Sequence, residues 1–534
     1  MTIRWKLAAA GLTFAVTCAG LFGTKALGPL PVGAHEIAAD DEERSLALNE
    51  SKSGPTPIYY GTAACSNKGC HGGEPPTKWV KGLDLITRGN EAVIYSTYDK
   101  HADAWKVLDQ NNKDNKRAIQ MSKLLGYDVS KEKACLACHA TVIHDKSLQK
   151  ASDELHFSVS EGVSCVTCHG AYEEWVGMHA TMVGARHFRR LTPQEKEKHF
   201  GMANLRDPVR QAELCVSCHV GNVEQGKFVT HEMYAAGHPP LPGFEIATFA
   251  EQSPRHWQYL REKSPALQKE LGLRQGELEQ TQLIVIGTLV SLRDSMKLLV
   301  KQAADAKAAS EPDKKTLDFS NFDCWACHHG IRTPSWRQKR GYGEYTPGRV
   351  PWRSWPSELT PAVIEHVALV DSKVDVAAVR KEYDEKLHAL KKAFDAKVYG
   401  NPAQIEKAAK GLQTWAEGML AKAKATYPTA ESARSLLGKL PPLYAKRGND
   451  YDSAREVAWA FGTIYDEVHG LRGGDLKVRQ ALGKLDKGLK LRLPQGRGGV
   501  ERDLESSLDA IKSYDPDETF RPRLLELGSA FGKR

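Results

Sequence analysis

The sequence lacks several features that would each suggest a class of protein. It has no long apolar run beyond its first 25 residues, which excludes a polytopic membrane protein. Gly and Pro, at 45 and 26 of 534 residues, are too few for a collagen-like or low-complexity chain. The net charge is only +8, so there is no strong excess of one charge. A charge of this size is only weak evidence for nucleic-acid binding. The 41% of hydrophobic residues excludes disorder of the whole chain.

The cysteines are few but regularly arranged. Ten of the eleven fall in five pairs, and a histidine follows each pair directly. The paired cysteines are Cys65, Cys70, Cys135, Cys138, Cys165, Cys168, Cys215, Cys218, Cys324 and Cys327. Four pairs read C-x-x-C-H, the attachment signature of c-type haem, in which two thiols form thioethers and the next imidazole binds the iron. The sequence therefore predicts five covalently attached haem c groups, with the proximal ligands His71, His139, His169, His219 and His328.

Other uses of these cysteines fit the sequence less well. Zinc sites need paired units within one small module, thioredoxin-like chemistry needs one C-x-x-C, and disulfides need no trailing histidine. The first unit has four residues between Cys65 and Cys70, and Gly69 offers the positive φ that a bulged loop needs. A disulfide or a metal pair is the alternative there. The eleventh cysteine, Cys18, lies in the N-terminal apolar run.

The N-terminus predicts export. Arg4 and Lys6 precede an apolar stretch from Leu7 to Gly23, so residues 1–34 are interpreted as a signal peptide. An uncleaved single-helix membrane anchor is the alternative, because 17 apolar residues are borderline for spanning a bilayer. Export to the periplasm agrees with c-type haem, which bacteria attach outside the cytoplasm. Residues 35–55 are polar and acidic, which is typical of a linker.

The predicted fold is mostly α, a haem-packed core with few or no strands followed by a helical C-terminal domain. Four haem units within 65–219 leave about 50 residues each, so the haems themselves must form much of the core. The predicted domains are 56–260 with four haems, 261–357 with a long helix and the fifth haem, and 358–534.

Apolar periodicity and Pro or Gly breaks place the individual helices. Helices are predicted at 91–109, 115–125, 192–200, 206–216, 266–309, 360–395, 402–425, 430–437, 452–470, 475–489 and 500–513, with breaks at Pro428, Pro441–Pro442 and Pro494. The helix 266–309 is interpreted as a packing element over the haem core, with partner binding as the alternative. The stretch 331–357 is irregular, and Arg332, Arg337 and Arg340 are expected to pair with haem propionates.

A second histidine on an iron gives a low-spin electron-transfer centre, whereas an open position binds small ligands. Ten histidines in the haem region lie outside the motifs: 101, 144, 156, 179, 187, 199, 231, 238, 256 and 329. Context favours His101, His179, His231 and His238, the last two just after the fourth haem unit. Met178 and Met233 are weaker candidates, because Met is more often filler. His329 adjoins a proximal histidine and cannot bind the same iron, although it could cap a neighbouring haem.

With these residues in view, the chain resembles the cytochrome c-554/c-prime family over about 56–260. The resemblance lies in Tyr60–Cys65, Lys100–Ala104, Gly162–Gly170, Cys215–Gly221 and Ala235–Leu241. It implies a mostly helical haem-wrapping fold, bis-histidine ligation of most haems, and electron transfer in nitrogen or sulfur metabolism. It also implies His101, His179, His231 and His238 as distal ligands. The family includes members with one five-coordinate haem. The long first unit, the fifth haem and the helical tail depart from the family.

Three hypotheses of function follow. The first is an exported electron-transfer protein with redox partner proteins, cytochromes or oxidoreductases, and no nucleic acid. The second is a redox enzyme acting on a small nitrogen or sulfur compound at one open haem, since no clear distal histidine lies near haem two or haem five. The third makes 358–534 a module that docks into a larger complex, with a stabilising cap as its alternative. Whether the chain is an enzyme stays open at this point.

Overall fold

The computed structural model describes residues 58–68, 70–73, 89–143, 157–171, 173–180, 188, 191–270, 276–311, 314–333, 335–471, 473–489 and 514–532. The signal segment 1–34 and the linker 35–55 lie outside these residues. Within the described ranges, no helix is both long and apolar enough to cross a membrane.

The described residues form helices and no strand, and two isolated bridges, Asn222 with Lys227 and Phe322 with Trp352, are their only β pairing. The mostly α prediction is therefore confirmed. The helices are α1 Thr62–Cys65, α2 Glu91–Tyr98, α3 Lys116–Leu125, α4 Lys133–His139, α5 Cys165–His169, α6 Glu173–Ala180, α7 Pro193–Phe200, α8 Pro208–His219, α9 His231–Ala236, α10 Ile246–Gln252, α11 Pro265–Glu270, α12 Glu279–Ala308, α13 Cys324–Cys327, α14 Trp336–Arg340, α15 Thr360–Val370, α16 Val376–Asp395, α17 Pro402–Ala425, α18 Ala430–Tyr444, α19 Tyr451–His469, α20 Leu476–Gly488 and α21 Arg521–Phe531.

The N-terminal helices are short and are bounded by side-chain caps. Asp207 accepts from the Val209 N–H at the start of α8, and Thr192 forms a reciprocal capping box with Glu195 at the start of α7. The helix predicted at 91–109 instead ends at Tyr98. Asp99 takes an extended conformation there and its side chain accepts the His101 N–H, which starts a 3₁₀ turn. A strong local capping residue thus overrode the helical periodicity.

The helix α12 is the central element of the molecule. Its residues are buried nearly all round over the first five turns, with Ile286, Leu289 and Leu292 fully inaccessible. It packs against α8, which carries the fourth cysteine pair, and against α17 and α19 of the C-terminal region. The predicted helix 266–309 is therefore two helices, α11 and α12. The interpretation as a packing helix agrees with this placement, since both sides of α12 are covered by this chain.

The C-terminal helices follow the predicted pattern with two differences. The predicted helix 360–395 breaks into α15 and α16 around Asp371, and the predicted 500–513 helix and Pro494 lie outside the described residues. Pro441 and Pro442 do not end α18, which continues to Tyr444. A proline is tolerated late in a helix when the lost hydrogen bond is offset by packing. Pro441 lies against Gly528 of α21, where a side chain in place of the glycine hydrogen would collide with it.

One hydrophobic core runs from Ala212 of α8 to Leu527 of α21. The C-terminal helices thus share their apolar core with the segment that carries the fourth and fifth cysteine pairs. Burial of apolar surface stabilises the folded state by about 25 cal/mol per Å², so separating the two parts would cost free energy. The predicted boundaries at 260 and 357 stay predictions.

Candidate functional site

The four C-x-x-C-H units share one local geometry. Each forms a helical turn: α4 ends at His139, α5 spans Cys165–His169, α8 ends at His219, and α13 spans Cys324–Cys327 with His328 next. Residues spaced by three and four lie on one face of a helix, so both thiols and the imidazole point to the same side. In the first unit Cys65 ends α1 and His71 follows a turn, while Gly69 lies outside the described residues.

Four of the five proximal histidines face a histidine that lies far away in the sequence. The ring centroids are 6.1 Å apart for His71 and His179, 6.3 Å for His219 and His101, 6.2 Å for His139 and His238, and 6.2 Å for His328 and His231. The four partners are the same four histidines that the sequence favoured as distal ligands. Each is brought to a different proximal histidine.

These separations fit a haem iron between each pair of rings. With metal–nitrogen bonds of about 2.0 Å on opposite faces, two axial imidazoles have centroids about 6.3 Å apart. A spacing of 6.1–6.3 Å in all four pairs therefore leaves room for one metal between two nitrogens. The donor set, two thiols and two imidazoles at each of these four sites, is that of bis-histidine haem c.

The Nδ1 atom of most of these histidines is held by a hydrogen bond, which leaves Nε2 for a metal. Backbone carbonyls serve three of them: His139 with Ala104 at 2.8 Å, His238 with Pro239 at 2.7 Å, and His179 with Trp175 and Val176. Carboxylates hold the other two, and one of these carboxylates was missed because it lies far from its histidine in the sequence. Glu91 lies 2.9 Å from His71 Nδ1, twenty residues away, and Asp99 lies 2.9 Å from His101 Nδ1.

Carboxylate partners raise the pKa of some of these histidines, and burial lowers the pKa of others. The hydrogen bonds from Glu91 and Asp99 raise the pKa of His71 and His101. Burial lowers the pKa of His169, His219 and His238 to about 4, and it also lowers the pKa of His139 and His179. The second group therefore stays neutral at physiological pH, and a neutral imidazole is the form that binds iron.

The short helix α9 explains two of the pairs. Its first residue, His231, donates its backbone N–H to Asp318 at 2.9 Å, and this places its ring against His328. Past its other end, Gly237 lies against Met121 of α3, and His238 reaches His139. The cysteine units two and five, for which the sequence offered no clear distal histidine, are therefore the two that His238 and His231 face.

The cysteine pairs also approach one another. The side chain of Cys165 lowers the pKa of Cys65 through a hydrogen bond, and that of Cys138 lowers the pKa of Cys218 to about 6 in the same way, so unit one lies near unit three and unit two near unit four. Val163, just before unit three, donates its N–H to the carbonyl oxygen of His101, whose ring faces His219, so units three and four are neighbours. Helix α9 begins at the partner of unit five and is followed by the partner of unit two, so these two units are neighbours as well.

One glycine is required for this assembly. Gly162 has φ of +75° and precedes the third unit, and a Cβ there would lie 2.4 Å from the carbonyl oxygen of His101. Val163 donates its N–H to that same oxygen at 3.0 Å. Only a residue without a side chain permits this approach, which joins the His101 segment to the third unit.

Several weaker sequence candidates lie elsewhere. Met178 packs in a small apolar cluster with Trp175 and Phe188, as filler would. His329 is half-buried and its Nδ1 contacts the Gly330 carbonyl oxygen. Among the arginines expected at propionates, Arg332 is exposed, Arg337 stacks on Tyr342, and Arg340 pairs with Asp323 at 3.4 Å. The histidines at 144, 156 and 187 lie outside the described residues.

Residues 90–170 match the family model described as cytochrome c554 and c-prime. No curated protein and no solved structure matches the chain significantly. The matched segment contains the second and third cysteine pairs, together with His101 and Asp99. The match supports a c-type cytochrome with covalently bound haem c that works in electron transfer with redox partner proteins.

Proposed function

We propose that this chain is an exported pentahaem cytochrome that passes electrons along a row of bis-histidine haems. The observation that carries the proposal is the set of four imidazole pairs at 6.1–6.3 Å, one for each of four cysteine units. An iron with two histidines has no open position for a substrate, and it changes its ligands little between ferric and ferrous states. Such sites transfer electrons rather than bind small molecules.

The contacts between units support conduction through the whole row. Unit one lies near unit three through Cys65 and Cys165, and unit two lies near unit four through Cys138 and Cys218, so haems attached there would be neighbours. Haem supplies the one-electron chemistry. The protein's part is to fix ring orientation through the Nδ1 hydrogen bonds, and burial keeps His139, His179, His219 and His238 neutral. Periplasmic location, with the segment 1–34 as a signal or an anchor, belongs to the same proposal.

Haem counting tests the proposal directly. The purified exported protein is expected to contain five iron atoms per chain and to show the pyridine haemochrome spectrum of haem c. Replacing both Cys65 and Cys70 by alanine is expected to lower the count to four, because this pair attaches the first haem. The Cys18→Ala variant is the control and should retain five. A count of four in the native protein would remove the first unit from the proposal.

The carboxylate at His101 predicts a potential shift. Asp99 is buried and accepts the Nδ1–H of His101, so its negative charge favours the ferric iron of the haem attached through Cys215 and Cys218. In Asp99→Asn the acceptor oxygen remains but the charge is lost, and we expect the potential of that haem to rise by about 60 mV, a tenfold change. Spectroelectrochemistry measures it. Asp114→Asn, an exposed change of the same charge, should leave all potentials within error.

The redox-enzyme alternative depends on one remaining site. Among the described residues, His169 is the proximal histidine that no second imidazole faces as in the other four pairs. An open haem there could bind a small nitrogen or sulfur compound. Carbon monoxide binding to the ferrous protein at one site in five haems would favour the enzyme, and no binding would favour the electron carrier.

A further inference from the structure

The four facing histidine pairs differ in the angle between their rings. Two pairs are nearly parallel, with ring planes 32° and 29° apart: His71 with His179, and His328 with His231. Two pairs are nearly perpendicular, with ring planes 85° and 81° apart: His219 with His101, and His139 with His238. When two imidazoles bind one iron through nitrogen, both ring planes contain the metal–nitrogen axis, so this angle is the twist between the ligands. Units one and five therefore hold parallel ligands, and units two and four hold perpendicular ones.

The twist between two axial imidazoles decides how the iron d orbitals split. Each imidazole raises the energy of the d orbital that lies perpendicular to its own ring plane. Parallel rings act on the same orbital, whereas perpendicular rings act on one orbital each and leave the two nearly equal in energy. A ferric iron between perpendicular rings therefore has a strongly anisotropic magnetic moment. It also gains less energy from the splitting, so its potential is higher in otherwise equal surroundings. The orientation of each ring is thus a property that the protein has to fix.

The ring of His219 is held by an aromatic side chain. Phe244 stacks on it with 4.4 Å between centroids and 11° between planes, and no other ring among the described residues lies as close to a proximal histidine. In the other perpendicular pair, backbone carbonyl oxygens hold His139 and His238 through Nδ1. The stacked ring has the same effect at His219, because a turn about the metal–nitrogen axis would drive the edge of the imidazole into the face of Phe244.

Phe244 is in turn fixed by α19 of the C-terminal region. Its side chain is 5% exposed, and its backbone N–H donates to Glu456 Oε1 at 3.0 Å. The preceding N–H, that of Gly243, donates to Asp452 Oδ1 at 2.9 Å. Asp452 and Glu456 are four residues apart and so lie on one face of α19, which thereby holds two successive backbone donors. A continuous set of contacts therefore runs from the C-terminal helices through one phenylalanine to a haem ligand.

We propose that Phe244 is the positioning residue that keeps the His219 ring perpendicular to that of His101, and that α19 acts on the fourth haem through it. The inference rests on the proposed function, because it presumes an iron between these two rings. It extends that function by giving the C-terminal helices a part in setting the ligand geometry, and through it the potential, of one haem.

Electron paramagnetic resonance of the ferric holoprotein, with a full haem count, tests the assignment. The native spectrum should contain a low-spin signal with one large g value at low field, from units two and four, beside the rhombic low-spin signal of units one and five. Phe244→Leu keeps an apolar side chain but removes the flat ring, so His219 can turn. The low-field signal should then lose the intensity of one haem, and the rhombic signal should gain it. Phe244→Tyr keeps the ring and should retain the native spectrum.

Phe188→Leu is the matched control. The Phe188 ring is as buried as that of Phe244 and lies 6.3 Å from His179, but it is tilted by 54° and does not stack. Two backbone carbonyl oxygens already hold the His179 ring, so this variant should keep the native spectrum.

Each other outcome counts against the proposal. A Phe244→Leu protein with five haems and the native spectrum would overturn it, as would a native protein without the low-field signal. If the leucine variant loses a haem, Phe244→Met fills the space with a flexible side chain that cannot stack. Loss of a haem from both variants would make Phe244 a structural residue only and would also overturn the proposal. Haem counting separates the two levels: fewer than five haems in the native protein defeats the proposed function, whereas five haems and an unchanged leucine variant defeat the Phe244 assignment alone.

Discussion

Replacing His231 by alanine is expected to convert the haem at Cys324–His328 from six-coordinate low-spin to five-coordinate high-spin. The two rings lie 6.2 Å apart, and the His231 backbone is fixed by Asp318, which lies six residues before Cys324. Phe319 packs edge-on against the His231 ring at 5.6 Å between centroids. Both ligands therefore belong to one small unit, and the cavity left by the alanine should admit water or carbon monoxide.

The expected size of this effect is complete conversion of one haem in five, visible as a new high-spin ferric signal and one carbon monoxide bound per chain. His329→Ala is the matched control, because that histidine adjoins His328 and cannot bind the same iron. If both variants showed the same partial change, a general loosening of the loop would explain it better than ligand loss. If His231→Ala kept five low-spin haems, the fifth haem would have another partner.

The cysteine units could be found from the sequence because their spacing is a local property of the chain. Three-residue and four-residue spacings place thiols and imidazole on one helical face, whatever the tertiary structure. The four histidines that face the units could be favoured from the sequence, but they could not be paired with individual units. His231 and His238 follow the fourth unit closely in sequence, yet they face the fifth and the second, because α9 packs on α3 and bonds to Asp318. Only long-range packing makes these pairs, and His101 and His219 are 118 residues apart.

Helix positions in the C-terminal region were predictable because helix formation depends on local sequence, whereas the histidine pairs depend on long-range packing. Amphipathic periodicity and caps act within a few turns, so 402–425 agrees with α17 to the residue. The break at Pro441–Pro442 was wrong, because the prediction weighed only the lost hydrogen bond and not the packing of Pro441 on Gly528. The helix predicted at 91–109 was wrong beyond Tyr98, where the Asp99 cap prevails.

A buried carboxylate joins the C-terminal helices to the long helix and predicts a large stability effect. Glu467 of α19 accepts the backbone N–H groups of Gln280 and Thr281 at 2.8 and 2.7 Å, and the Thr281 hydroxyl at 2.8 Å. These groups lie in the first turn of α12, where backbone donors have no partner within the helix and negative charge is stabilising. The carboxylate side chain is only 3% exposed, so water cannot replace it.

Glu467→Ala is therefore expected to lower the free energy of unfolding by about 3 kcal/mol, because it leaves buried donors without an acceptor. Glu467→Gln keeps one acceptor oxygen and should lose less. Glu526→Ala removes an acidic side chain that is half exposed, and it should change stability by less than about 1 kcal/mol. Denaturant unfolding followed by far-ultraviolet circular dichroism measures all three.

Since α12 also packs on α8, loss of the fourth haem's low-spin spectrum should accompany the same transition if residues 358–534 stabilise the haem core. Separate transitions for helix content and haem spectrum would instead mark the C-terminal region as an independent module, as docking into a larger complex would require.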